Sequence, residues 1–119
     1  MKTSIRRSTG EHYFGIEITP DGKLVVAERM DGRPLAAARF SAGAPGAQEL
    51  REYIERECGH PHICIKACGA AALTLATALI PLRGVEVTLI SARSIQGGAA
   101  PATPEERAER LAKLAERLF

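Results

Sequence analysis

Tyr13-Phe-Gly-Ile-Glu-Ile-Thr-Pro-Asp-Gly-Lys-Leu-Val-Val-Ala-Glu-Arg-Met-Asp-Gly-Arg-Pro-Leu-Ala-Ala-Ala-Arg-Phe40 is the stretch that decides the fold. Tyr13 to Thr19 alternates and is rich in strand-forming residues, and Pro20-Asp21-Gly22 stops it with a strong turn signal. Lys23 to Met30 reads as a second strand. Asp31-Gly32 then supplies the positive φ angles that a tight hairpin prefers. Pro34 to Phe40 is a third strand, so short turns join three strands into an antiparallel meander.

Beyond Phe40 the period changes. Ala42 to Gly46 reads as a loop, and Gln48 to Cys58 as a helix with Leu50, Tyr53, Ile54 and Glu57 at helical spacing. Gly59 suits the C′ position. His62 to Ala67 is nearly continuously apolar, the pattern of a central strand covered on both faces. Ala70 to Ile80 is an alanine-rich helix stopped by Pro81 and Gly84, and Val85 to Ile90 is the last strand. After a Gly/Ala-rich stretch, Gln96 to Pro101, the run Thr103-Pro104-Glu105-Glu106 has the form of a capping box. The helix from Pro104 to Leu118 carries Ala108, Leu111, Ala112, Ala115 and Leu118 on one stripe, with Glu106–Arg110 and Glu109–Lys113 pairs expected outside it.

Residues 1–11 are polar and are expected to form a flexible tail before one domain spanning 12–119. The order βββαβαβα makes this an α/β domain, with strand–helix–strand crossovers that set the later strands parallel and right-handed. An antiparallel three-strand meander followed by parallel strands with flanking helices is the mixed sheet of RNase H-like domains. Architecture alone does not name a function.

The bulk composition excludes several classes. At 119 residues, 45% hydrophobic and 25% charged, the chain is an ordinary globular domain. Aromatics make up only 4% and there is no Trp, so Leu, Ile, Val and Ala must build the core. The three cysteines do not read as a disulfide framework. The N-terminal residues lack the apolar core of a secretory signal. The apolar run Ala70 to Leu82 is shorter than the roughly 20 residues of a membrane span. We therefore expect a cytoplasmic protein without membrane contact. A net charge of +2 permits an acidic partner without demanding one.

The quoted segments resemble the N-terminal, RuvC-like domain of DEDD-type insertion-sequence transposases, the group that includes Piv-like DNA invertases. Tyr13-Phe-Gly-Ile-Glu-Ile-Thr-Pro-Asp21 is similar to that family's hydrophobic-Gly-Ile-Asp strand. Ile65-Lys-Ala-Cys-Gly69 looks like its Glu-Ala-Thr-Gly segment. Val85 to Ser91 matches the following strand, and Ala102 to Ala112 its last helix start. The resemblance covers Tyr13 to Ala112. It implies an RNase H fold and four acids that hold two divalent ions on a DNA phosphodiester. Hard Mg²⁺ needs such oxygen ligands.

The four acid positions fall here on Glu17, Lys66, Pro104 and Arg107. A lysine at a site built for doubly charged cations adds repulsion of several kcal/mol, taking a separation of about 4 Å and an effective dielectric of about 20. The reading is a degenerate, non-catalytic domain, with no catalytic residues, no metal and no small-molecule cofactor. Its expected partners are DNA or RNA phosphates, with Lys66, Arg93 and Arg107 as phosphate-binding candidates. Glu17 is expected to pair with Lys66 on the neighbouring strand. The family's separate C-terminal domain finds no room in 119 residues.

Other readings compete. The chain could be a protein-interaction or structural module, a homodimer formed through the last helix, whose stripe Leu114 and Phe119 extend. A residual Mg-dependent nuclease would use Glu17 with an unaligned acid such as Glu86. Cys58, His60, His62, Cys64 and Cys68 are zinc-type ligands, but Cys64 and Cys68 lie about 13 Å apart along a strand, so only the Cys58/His60/His62 end, where the chain bends, could converge. Buried thiols and loop histidines fit these residues better. Arg6, Arg7 and Arg83 could join Arg93, Lys66 and Arg107 in a basic surface for nucleic-acid phosphates, although scattered arginines more often form a solvated exterior.

Overall fold

A computed structural model describes residues 8–67, 69–91 and 103–118. Eight elements follow in order: β1 (Ser8–Ile18), β2 (Leu24–Met30), β3 (Arg33–Phe40), α1 (Gly43–Glu57), β4 (Cys58–Lys66), α2 (Ala70–Leu79), β5 (Glu86–Ile90) and α3 (Pro104–Leu118). They build one five-stranded sheet in the order β3-β2-β1-β4-β5. β2 runs antiparallel to both β1 and β3, while β4 is parallel to β1 and β5 to β4. This is the expected α/β mixed sheet of an RNase H-like domain. β1 is the strand at which the antiparallel half meets the parallel half.

The two turns work as their residues dictate. Gly22 has φ 88°, and Asp31 and Gly32 have φ 55° and 75°, the left-handed angles that Gly and Asp tolerate best.

Three boundaries differ from the sequence reading. β1 begins at Ser8, so residues 8–11 of the expected tail form strand, pairing with β4 across a register shift between Ser8 and Glu11. Polarity misled there, because this end of β1 becomes strand through backbone pairing with β4. α1 begins at Gly43, with Pro45 in its first turn, where a missing N–H costs nothing. Gly59 is not a helix C′ residue but lies within β4, which starts at Cys58. Pro61 is buried inside that strand. It is tolerated because β5 pairs with β4 only from His62 onward, leaving that side of Pro61 without a ladder partner.

Alternation divides the sheet into two faces. Phe14, Ile16, Leu24, Val26, Ile63 and Ile65 pack beneath α1 and α2, against Leu50, Ile54, Leu75 and Leu79. Val25, Ala27, Cys64 and Ile90 face α3 and meet Ala108, Leu111, Ala112 and Ala115. Ala108, Leu111, Ala112 and Ala115 of the stripe read from the last helix therefore pack on its own sheet, while Leu118 stays exposed.

α3 approaches closely because Gly15 has no side chain. A Cβ there would stand 2.1 Å from the Ala108 carbonyl oxygen and 2.3 Å from the Ala112 nitrogen. Arg29 of β2 fastens the other end of α3. Its guanidinium donates to Glu116 at 2.9 Å, to Glu109 at 2.5 Å and to the Gly32 carbonyl at 2.9 Å. Glu109 thus turns inward to a buried arginine rather than standing outside the stripe as expected.

Candidate functional site

The register Ile16↔Ile65 brings Glu17 and Lys66 side by side, where β1 and β4 end on the face beneath α3. Ligand sites of open α/β sheets characteristically lie at such carboxyl ends, where the connectivity changes direction. The first turns of α3 supply the third side. Thr103 caps that helix reciprocally: its Oγ1 accepts from the Glu106 N–H at 3.1 Å, and Glu106 Oε1 accepts from the Thr103 N–H at 3.2 Å. The capping box read from the sequence is therefore formed, and it fixes where Arg107 enters.

Three of the four positions singled out by the resemblance meet here. Arg107 Nε donates to Glu17 Oε2 at 2.9 Å, and Lys66 Nζ stands 3.6 Å from the same oxygen. The expected Glu17–Lys66 pair is present, with Arg107 the closer cation. The resemblance placed Arg107 in this site, but its direct hydrogen bond to Glu17 was not anticipated. The Glu17 side chain is 4% exposed, against 27% for Lys66 and 28% for Arg107. Glu17 Oε1 is buried without a hydrogen-bond partner. Pro104, half-buried at the start of α3, contributes no polar side chain. Arg93 lies outside the described residues.

These residues do not fit a pair of divalent ions. Mg²⁺ keeps an octahedral oxygen shell and is held through carboxylates. Here one carboxylate is present, and one of its oxygens already serves two cations. Among the described residues no group of three or more His, Cys, Asp or Glu could hold a metal ion.

Glu86 cannot join Glu17, which overturns the residual-nuclease pairing. It pairs in register with His62, four residues before Lys66 on β4. That places it about 13 Å up the strand from the Glu17 end, at 3.3 Å per residue. Its carboxylate lies 2.8 Å from His62 Nδ1, while Glu11 lies 2.9 Å from His62 Nε2. Tyr13 stacks on the same imidazole, with ring centroids 5.2 Å apart. His62 is thus held between two carboxylates.

Of the zinc-type residues, only some can be placed. Cys64 is fully buried among Ile90, Leu111 and Ala115, and burial pushes its thiol up to about 11. His60 is exposed. The Cys58 side chain and Cys68 lie outside the described residues.

A second buried carboxylate, on the opposite face, was not read from the sequence. Glu28 Oε2 lies 2.6 Å from His12 Nδ1, and Glu28 Oε1 accepts from the Tyr53 hydroxyl at 3.1 Å. The signal was available in the hairpin. With Phe14 opposite Glu28, His12 is the diagonal neighbour on the same face. A glutamate on the inward alternation of Leu24, Val26 and Glu28 needs partners.

No protein-family model and no curated protein sequence matches the chain. Among solved structures it is similar to a mutant nuclease domain of the large terminase subunit gp2 of bacterial virus Sf6, studied with manganese and beta-thujaplicinol. The identity is 15% and the TM-score 0.46, over 81% of this chain and 41% of that one. The RNase H-like assignment rests on the strand order given above.

Proposed function

We propose that this chain is a transposase-derived RNase H-like domain whose former metal site now seats an anion, so that it binds the phosphate backbone of DNA without cutting it. One observation carries the reading: a single carboxylate, Glu17, faces both Arg107 and Lys66. The cluster keeps one excess positive charge. Both cations retain exposed surface from which to reach a phosphate, and Arg presents a planar fork suited to its oxygens. The descent is supported by the resemblance itself, because positions matched separately along the chain converge at one strand end.

Fluorescence anisotropy with a labelled duplex tests the proposal. Affinity is expected to fall steeply with salt, with a log–log slope of about −2 for two phosphate contacts. Lys66→Glu and Arg107→Glu should each weaken binding about tenfold or more, reversing a charge at the contact. Absent or salt-insensitive binding would overturn the DNA reading. Mn²⁺-dependent cleavage of branched DNA that disappears in Glu17→Ala would overturn the non-catalytic one.

A further inference from the structure

We infer that a row of cations on the outer side of α3 continues the anion site, so that a DNA strand seated at Lys66 and Arg107 runs on along this helix toward its C-terminus. The inference rests on the phosphate-binding reading of that site. Acids and bases are interspersed along α3 in sequence, but the fold sorts them by side. Glu105, Glu109 and Glu116 turn toward the antiparallel half of the sheet, where Arg39 and Arg29 receive them. Glu106 is turned back onto the Thr103 N–H at 3.2 Å. Each acid of the helix thus has a partner within the domain.

The cations sort the other way. Arg110, Lys113 and Arg117 each follow a buried residue, respectively Ala108, Leu111 and Ala115, by two positions. With about 3.6 residues per turn, two positions are about 200° around the helix, so all three project away from the sheet. Lys113 and Arg117 are exposed, and Arg110 is half-buried. Arg107 stands about one turn before Arg110, at the strand end where it meets Glu17. From Arg107 to Arg117 the row is about 15 Å long, at about 1.5 Å of rise per residue.

Charge and shape together identify the occupant. A straight row of like charges gains most from a partner that is equally linear and charged throughout. One strand of DNA carries a phosphate at each step of about 3.4 Å along the duplex axis, so about four steps cover the row. A lipid surface fits less well. The apolar side of α3, which would have to enter the headgroup boundary, is packed on the sheet. The row also begins at Lys66 and Arg107, so a strand held there meets Lys113 and Arg117 without leaving the helix.

The salt dependence of duplex binding by the full chain, read by fluorescence anisotropy, tests this. Lys66 and Arg107 alone account for a log–log slope of about −2. With Lys113 and Arg117 also on the backbone, the slope should steepen to about −3.5. The double variant Lys113→Gln/Arg117→Gln should return it to about −2 and weaken binding about tenfold at low salt. Its urea midpoint should not change, since both side chains are exposed. Arg56→Gln/Arg83→Gln removes the same charge from exposed positions on α1 and before β5, and should leave slope and affinity as they were. A wild-type slope near −2, or a folded α3 variant that binds like wild type, overturns the extension and leaves the strand-end reading standing. An equal loss in the Arg56/Arg83 variant overturns it as well, by tracing the effect to net charge. Poly-glutamate that displaces the duplex as readily as unlabelled DNA would overturn the choice of phosphate. Absence of any binding overturns both the extension and the reading beneath it.

Discussion

Two buried glutamates divide the molecule into a structural half and a reactive half. Glu28, under α1, is 1% exposed, and Glu17, under α3, is 3% exposed. Glu28 uses both oxygens, one toward His12 and one toward Tyr53. Glu17 directs one oxygen to two cations and leaves the other without a partner. Of the partners of Glu28, His12 is buried and Tyr53 packs half-buried against the core. Those of Glu17 reach the surface. A buried carboxylate with closed accounts holds elements together, whereas one with surplus cationic partners at a strand end can exchange a contact with a ligand.

The largest expected effect comes from the closed cluster. Glu28→Ala strands His12 and Tyr53 without their acceptor and opens a cavity between β2 and α1, which should cost about 3–5 kcal/mol in urea unfolding. A loss under about 1 kcal/mol would break the comparison, because Glu28 would then be no structural anchor. Glu17→Gln should cost only about 1 kcal/mol, its cations being able to turn to water. It should also tighten DNA binding at low salt, as the cluster gains a positive charge. Tightening without destabilisation would sharpen the contrast, and weaker binding would reverse it.

The smallest effect is read from pH. The Arg29 hydrogen bond holds the Glu116 carboxyl below the usual carboxylate range. A folded value below the unfolded one means stabilisation that is complete above the unfolded value, about pH 4.5, and lost as pH falls through the folded value. Arg29→Met should flatten this acid limb of stability between about pH 5 and pH 3, measured by urea midpoints. A limb of unchanged steepness would place the acid sensitivity elsewhere.

Much of the fold was legible because the local signals agreed with one another. Pro20-Asp21-Gly22 and Asp31-Gly32 punctuate the meander, and Thr103 to Glu106 mark a helix start by their own hydrogen bonds. The boundaries at Ser8, Gly43 and Cys58 were not legible, because pairing and packing set them. A polar segment such as residues 8–11 becomes strand once a parallel neighbour lies beside it. Glu17 and Lys66 could be placed together from strand parity alone. Arg107 was placed there only by the family resemblance, since its approach depends on how far α3 descends onto the sheet. His12 and Glu28 were recoverable in principle from hairpin register, but Tyr53 required the docking of α1.

The missing side chain at Gly15 has a kinetic consequence. It lets the fifteen-residue α3 press onto β1, so two elements far apart in sequence complete one another. During synthesis the Val25, Ala27 and Cys64 face must wait for α3 to leave the ribosome. Closure then spans a loop of 90 residues between Glu17 and Arg107, the kind of distant pairing that slows folding. The nascent sheet is therefore most open to chaperones, or to aggregation, just before α3 emerges.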